Sequence, residues 1–331
     1  MNKNTPLAAF LAAAFLVGNA FAKLEVDPAL PDYKPEGTVA GSVSALVTHA
    51  HEPLMASWIV AFQKYHPEAT ITQTSRKSEI KVYCIAFGPN TEEIYESTFG
   101  PYLQKYGYDP FHISVSMGGL NVTVRPQALA IFVHPENPLK KITMAQLDAI
   151  YSSTLRGGNA PITKWGDLGL TGEWADKPVH AYARPFNNVA TWHFRDAVLR
   201  GGEFLPTCIV PGKGTSDEVI AAVEADRYGI TYSAYGYKTP KVKANVLNVG
   251  AGDGKFGYPN ESDVSTGLYP LSRPLELFVN RPPGKPLDPL TKEFLTFILS
   301  KQGQALVADD VADGYQPLSA QIAAKYRGKL D

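Results

Sequence analysis

Repeatedly along this chain a short β-favouring run ends in a polar loop and is followed at once by an amphipathic segment. This alternation limits the fold more than any other feature. Strands that alternate with helices build a largely parallel sheet, because each crossover helix returns the chain to start the next strand in the same direction. Such sheets bind ligands beyond the carboxyl ends of their strands, where the loops collect. The fold class that follows is α/β, with each sheet mixed but mostly parallel and flanked by helices.

The clearest unit is Val179-His180-Ala181-Tyr182-Ala183-Arg184-Pro185-Phe186-Asn187-Asn188, followed by an amphipathic segment that runs to Arg200-Gly201-Gly202. A strand turns at Arg184-Pro185, and Asn187 or Asn188 caps the next helix. The first free N–H groups of that helix and the positive end of its dipole then face the loop, where a guanidinium adds a forked pair of donors. That combination suits an oxyanion. A surface arginine paired with a local carboxylate is the plainer alternative.

Other units repeat the pattern. A first strand over 38–44 enters a small-residue turn with Ser42 and Ser44, and a helix follows through Trp58 to Tyr65. Leu54, Trp58, Ala61, Phe62 and Tyr65 recur at helical spacing and read as core. A second strand over 70–74 delivers Ser75-Arg76-Lys77-Ser78 to a helix start at Glu79. A third, over 111–116, ends at Ser116-Met117-Gly118-Gly119, and the continuous apolar run 128–133 suits a strand buried on both faces. Thr143-x-x-Gln146 and Thr215-x-x-Glu218 are capping boxes that open two further helices. His49 and His51 stand two apart with no partner at a metal-ligand spacing, and no serine sits in a Gly-x-Ser-x-Gly turn. No metal, cofactor or enzyme activity is expected.

Residues 1–22 read as a secretory signal peptide, with Lys3, an apolar run from Leu7 to Val17, and Ala20-Phe21-Ala22 as a small-x-small cleavage site. Residues 23–36 are polar and proline-rich and read as an extended lead-in. Removal of the signal shifts the formal net charge from −1 to −2, so there is no bulk basic field for nucleic acid. The remaining 309 or so residues, in a chain 44% apolar, suffice for two domains, since single cores stop growing efficiently near about 250–300 residues. A late strand within 269–279 reads as returning to the first sheet, and a helix over 289–300 carries Leu290, Phe294, Phe297 and Ile298 on one stripe. The expected division is therefore 37–126 with 236–331 as domain 1 and 127–235 as domain 2. Cys84 and Cys208 would pair in an oxidising compartment if they met. Their placement in different domains favours two free buried thiols.

Three blocks in order carry a family resemblance: Leu147-Asp148-Ala149-Ile150-Tyr151-Ser152 with Ile162-Thr163-Lys164-Trp165-Gly166-Asp167, the strand with Arg184, and Arg227-Tyr228-Gly229-Ile230-Thr231-Tyr232-Ser233. Together they resemble the PstS-like periplasmic substrate-binding proteins of phosphate ABC transporters. The resemblance covers about 37–320, including Tyr315-Gln316-Pro317-Leu318. It implies a two-lobed periplasmic binding protein-like fold of type II, with an oxyanion such as phosphate held between the lobes. It further implies a periplasmic monomer that serves an ABC transporter permease. Carried onto this chain, the ligand set is Ser42, Ser44, Arg76, Ser78, Ser116, Arg184, Asn187 and Asn188.

The chain departs from the family pattern at defined places. Aligning Arg184 with the family's loop arginine puts Asn188-Val189-Ala190 where the family has Ser-Gly-Thr, which removes two hydroxyl donors. The family often has an aspartate after the third strand to accept a proton from the ligand; this chain has Ser114, Ser116 and Met117. These departures leave an alternative, a drifted member acting as a periplasmic sensor or interaction protein with a non-phosphate ligand or none.

Overall fold

The structure is a computed structural model that describes residues 24–47, 51–74, 82–85, 99–100, 102–120, 127–185, 188–310 and 314–331. The described strands in chain order are β1 (Gly41–Val47), β2 (Ala69–Thr74), β3 (Val82–Ile85), β4 (Phe111–Ser116), β5 (Leu129–Val133), β6 (Lys141–Thr143), β7 (His180–Tyr182), β8 (Gly229–Ala234), β9 (Asn245–Val246), β10 (Asn248–Gly250) and β11 (Leu275–Val279). The described α-helices are α1 (Glu52–Gln63), α2 (Met144–Tyr151), α3 (Val189–Ala197), α4 (Ser216–Ala225), α5 (Glu261–Ser265), α6 (Pro289–Ile298), α7 (Lys301–Asp309) and α8 (Ala320–Arg327).

One sheet has the order β2-β1-β3-β11-β4 and another the order β7-β8-β5-β9, with a small β10-β6 pair beside the latter. In the first, β1 runs parallel to β2 and β3, and only β11 runs against its neighbours. In the second, β7 and β8 are parallel and β5 is the reversed strand. The two reversed strands are the ones by which the chain enters the second sheet and returns to the first. The α/β reading therefore holds, with one crossover strand inserted against the grain of each sheet.

Local rules place most of these elements. Both capping boxes form: Gln146 N–H donates to Thr143 Oγ1 at 3.1 Å while Thr143 N–H donates to Gln146 Oε1 at 2.9 Å, and Thr215 and Glu218 do the same at α4. Every residue of β5 is buried. Leu129, Ile131 and Val133 join the main core, whereas Ala130 and Phe132 face Val219 and Ile220 of α4. That two-sided burial explains why the segment reads as an unbroken apolar run. On α3, Phe194 stacks on Tyr232 of β8 with ring centroids 4.0 Å apart, and Tyr151 of α2 meets it edge-on at 5.0 Å. Aromatic pairs of this kind add about 0.5–1.5 kcal/mol beyond their buried area, which holds α3 against the second sheet.

Four features differ from the sequence reading. The first strand runs on to Val47 rather than ending at Ser44, because Val43, Ala45 and Val47 continue the inward alternation. Val82–Ile85 forms β3, which the reading passed over in favour of a helix start at Glu79. Residues 245–250 follow position 236 yet pair with β5 and β6 rather than with the first sheet. The lead-in buries Leu30 and Tyr33: Tyr33 OH donates to Glu293 Oε1 at 2.5 Å and lies 2.6 Å from His66 Nε2, and Asp27 accepts from Ala320 N–H at the start of α8. Cys208 is free and half-buried, its thiol pushed up to about 11 chiefly by burial.

The crossings are themselves bonded together. Leu129 N–H donates to Leu271 O at 3.0 Å, and Tyr269 OH donates to Leu129 O at 2.5 Å. The His193 ring, on α3, bonds to the main chain of Ser272 just before β11. Its Nε2 is shielded from solvent and has no partner among the described residues.

Two measurements check this account. Tyr33→Phe removes the donor to Glu293, a carboxylate only 7% exposed, and should lower stability by about 1–3 kcal/mol, read as a lower urea midpoint at unchanged slope. An unchanged midpoint would show the lead-in to be passively packed. The second concerns His193, whose pKa is pushed down to about 3, first by burial and then by the positive charge of Arg273. Because that folded value lies below the ordinary value of about 6.5, the ring folds neutral; its contribution is full above about pH 6.5 and is lost as pH falls towards 3. Melting temperature should therefore drop through this window in the wild type and more shallowly in His193→Gln, and parallel curves would remove His193 from the acid limb.

Candidate functional site

Topology decides which loops can meet. The carboxyl ends of β4, β7 and β8 lead into Met117-Gly118, Ala183-Arg184 and Tyr235-Gly236-Tyr237. Because β5 and β11 are reversed, the same ends of the two sheets also receive the residues that precede them, Gln127-Ala128 and Ser272-Arg273. Direct bonds tie these loops together. Tyr235 N–H donates to Ala128 O and Gly236 N–H to Gln127 Oε1, both at 2.9 Å. Met117 exchanges main-chain bonds with Gln316 at 2.8 and 3.1 Å, and the adjacent Tyr315 OH lies 2.5 Å from Nε2 of the buried His51 at the start of α1.

Arg184 stands where the sequence places it, one residue beyond Ala183 at the end of β7. Its main-chain N–H donates to Tyr232 OH at 3.4 Å, and its carbonyl accepts from Thr191 Oγ1 at 3.3 Å, in the first turn of α3. Tyr232 OH in turn donates to Thr191 Oγ1 at 3.1 Å, so the strand end, the helix start and β8 form one hydrogen-bonded unit. Arg184 Nε donates to Gly214 O at 3.1 Å. Among the described residues no hydrogen bond occupies its two terminal nitrogens. Burial lowers its pKa, offset by Tyr232 and Tyr237 nearby. The plainer alternative, pairing with a local carboxylate, is not what the described residues do. A half-buried guanidinium with its fork open, next to a helix start, is a donor set for an anion.

Of the other candidates, Asn188 is the N-cap of α3, and its Oδ1 accepts from Ala190 N–H at 2.9 Å. Its side chain is thus committed to the helix rather than turned outward. Ser116 ends β4, fully buried, with an Oγ that has no hydrogen-bond partner among the described residues. Ser42 and Ser44 lie within β1, opposite Thr70 and Thr72. From Ser44 to the end of the strand at Val47 is about 10 Å at 3.3 Å per residue, so this pair stands back from the carboxyl end of β1. Arg76, Ser78, Asn187 and His49 lie outside the described residues.

One residue at this end was not singled out from the sequence. Arg273 is 7% exposed, and burial pulls its pKa down to about 10, with Arg184 adding to the depression and Tyr315 opposing it. A Cβ on Gly118 would lie 2.7 Å from Arg273 O and 2.9 Å from Arg273 N, so only glycine lets the β4 loop approach that closely. The available signal was an arginine directly before a proline at the amino end of a late strand. Its value depended on knowing that the strand runs backwards.

Comparison with known proteins bears on the family and the fold. The sequence pattern of a PBP superfamily domain matches residues 120–302. The phosphate-binding protein PstS of Pseudomonas aeruginosa is 38% identical over 325 residues, covering 96% of each chain. PstS of Staphylococcus haemolyticus is 26% identical over 184 residues, covering 55% of this chain and 54% of that one. Among solved structures, PstS from Borrelia burgdorferi shares the fold with a TM-score of 0.55 at 17% identity, over 84% of this chain and 99% of that one. The two-lobed fold and the extent of these matches establish that the chain belongs to the PBP superfamily and, within it, to the PstS-like phosphate-binding proteins.

Proposed function

We propose that this chain is a periplasmic binding protein that captures phosphate or a related oxyanion between its two lobes and presents it to the permease of an ABC importer. The observation that carries the reading is Arg184: a guanidinium at the carboxyl end of β7, drawn partly out of water, with its fork open beside the start of α3. The 38% identity to a phosphate-binding protein along nearly the whole chain supports the same ligand class. Ser116, with its buried hydroxyl, is a further donor from the first lobe. Arg76, Ser78 and Asn187 are kept as candidates on sequence grounds, whereas Ser42 and Ser44 rank below them because they stand inside β1. The function is binding and delivery, not catalysis.

The strand pairings support two lobes with a return crossing later than position 236. We place it in the segment 257–274, after β10 and before β11. A cleft between two such lobes binds tightly only when closure excludes water from the anion. Export through cleavage near Ala22, and action as a monomer, complete the reading.

Calorimetry on protein purified without added phosphate tests it. Phosphate should bind to the wild type, and Arg184→Ala should weaken it by about ten- to a hundred-fold, the range of a charge-assisted hydrogen bond. Arg184→Lys should recover only part, since an ammonium keeps the charge without the planar fork. Asn188→Ala should act differently, costing about 0.5–2 kcal/mol of stability through the lost cap. Equal phosphate affinity in wild type and Arg184→Ala would make the loop structural and move the site elsewhere.

A further inference from the structure

We propose that the hollow between α3 and the loop that follows it is a second binding site, separate from the anion cleft, for a small aromatic zwitterion such as phenylalanine or tyrosine. Its volume is about 160 Å³, and among the described residues it is lined by Thr191, Trp192 and Arg195 of α3 and by Glu203 and Phe204. An apolar cavity of about 150 Å³ holds one benzene ring, whereas drug-sized ligands occupy about 300 Å³ or more. The volume therefore admits a single ring and is too small for a nucleotide or a lipid.

The walls are fixed by the core beneath them. Thr191 accepts from Tyr232 OH and donates to Arg184 O, so its hydroxyl is already engaged. The Phe204 ring, 7% exposed, stacks on Phe194 at 6.0 Å and meets Tyr151 edge-on at 6.4 Å. Trp192 is half-buried, with the Arg195 guanidinium 5.4 Å from its ring centre, and among the described residues its indole N–H has no acceptor. Trp192 and Phe204 thus offer two aromatic walls to a third ring.

The polar groups define the rest of the ligand. Arg195 donates through Nε to Gly202 O at 2.8 Å, and through Nη2 to Gly201 O at 3.4 Å and to Glu203 Oε1. Among the described residues nothing accepts from its Nη1, and nothing donates to Glu203 Oε2. A cation and an anion therefore stand side by side, each with bonding capacity to spare. An α-amino acid carries its carboxylate and ammonium equally close together, so the carboxylate meets Arg195 and the ammonium meets Glu203 while the ring enters beside Trp192 and Phe204. A simple anion is repelled by Glu203, a simple amine by Arg195, and an aromatic residue inside a peptide chain carries neither charge.

Calorimetry at neutral pH with L-phenylalanine, phenylacetate, L-alanine and N-acetyl-phenylalanine amide is the test. Wild type should bind L-phenylalanine saturably, and should bind the other three, which lack the ammonium, the ring and both charges in turn, less tightly. Phosphate in excess should not displace it. Trp192→Ala should weaken L-phenylalanine by about ten-fold or more through the lost aromatic wall, and Glu203→Gln by about two- to five-fold, the range of an exposed ion pair. Glu203→Gln should also bring L-phenylalanine and phenylacetate closer in affinity, which a purely structural role would not do. Thermal melts report whether each variant is folded. If Trp192→Ala does not fold, Glu203→Gln and the ligand series on wild type decide. The proposal is overturned by a wild type without saturable L-phenylalanine binding, by displacement with phosphate, by unchanged affinity in folded Trp192→Ala, or by a capped amide that binds as tightly as the free amino acid.

Discussion

The structure depends on the point where the chain crosses twice between its two sheets. Leu129 at the start of β5 and Leu271 shortly before β11 are hydrogen-bonded at 3.0 Å, with Tyr269 OH locked onto Leu129 O. Each crossing ends in a strand that runs against its neighbours. A reversed strand delivers its amino end where the parallel strands deliver their carboxyl ends. Those ends of the two sheets therefore carry both ordinary strand-end loops and the lead-ins of the two crossovers. Without that reversal Arg273 and Gln127 would stand at the opposite edges of their sheets.

Holding a guanidinium in such a place requires support from its surroundings. Arg184 is supported through its backbone by Tyr232 and Thr191, while Tyr232 is itself stacked under Phe194 and edged by Tyr151. The aromatic core beneath the second sheet thus positions a polar loop above it. Desolvation makes each such charge expensive on its own. It also makes the charge effective, because the same low-dielectric surroundings strengthen its attraction for an anion that enters.

Most single elements were legible from residues. The capping boxes at Thr143 and Thr215, the two-sided burial of β5, the third strand over 111–116 and an asparagine cap at 187 or 188 all follow from spacing and side-chain chemistry that act within a few residues. The misses have a common cause. The end of β1, the existence of β3 and the allegiance of β9 and β10 are all settled by pairing with strands distant in sequence. A two- to four-residue strand carries too little pattern to announce its partner.

The sequence by itself determined that this chain folds as alternating strands and helices, that Arg184 would sit at a strand end before a capped helix, and that the family would be that of oxyanion-binding proteins. These are consequences of local periodicity, of turn and cap chemistry and of motif order. Only the tertiary structure decided that β1 continues past Ser44 to Val47, that Val82–Ile85 pairs as β3, and that Arg273 precedes a strand reversed against β3 and β4. Strand direction and register are properties of pairing between remote segments, and a residue's place at a cleft is set by which end of which sheet its strand presents.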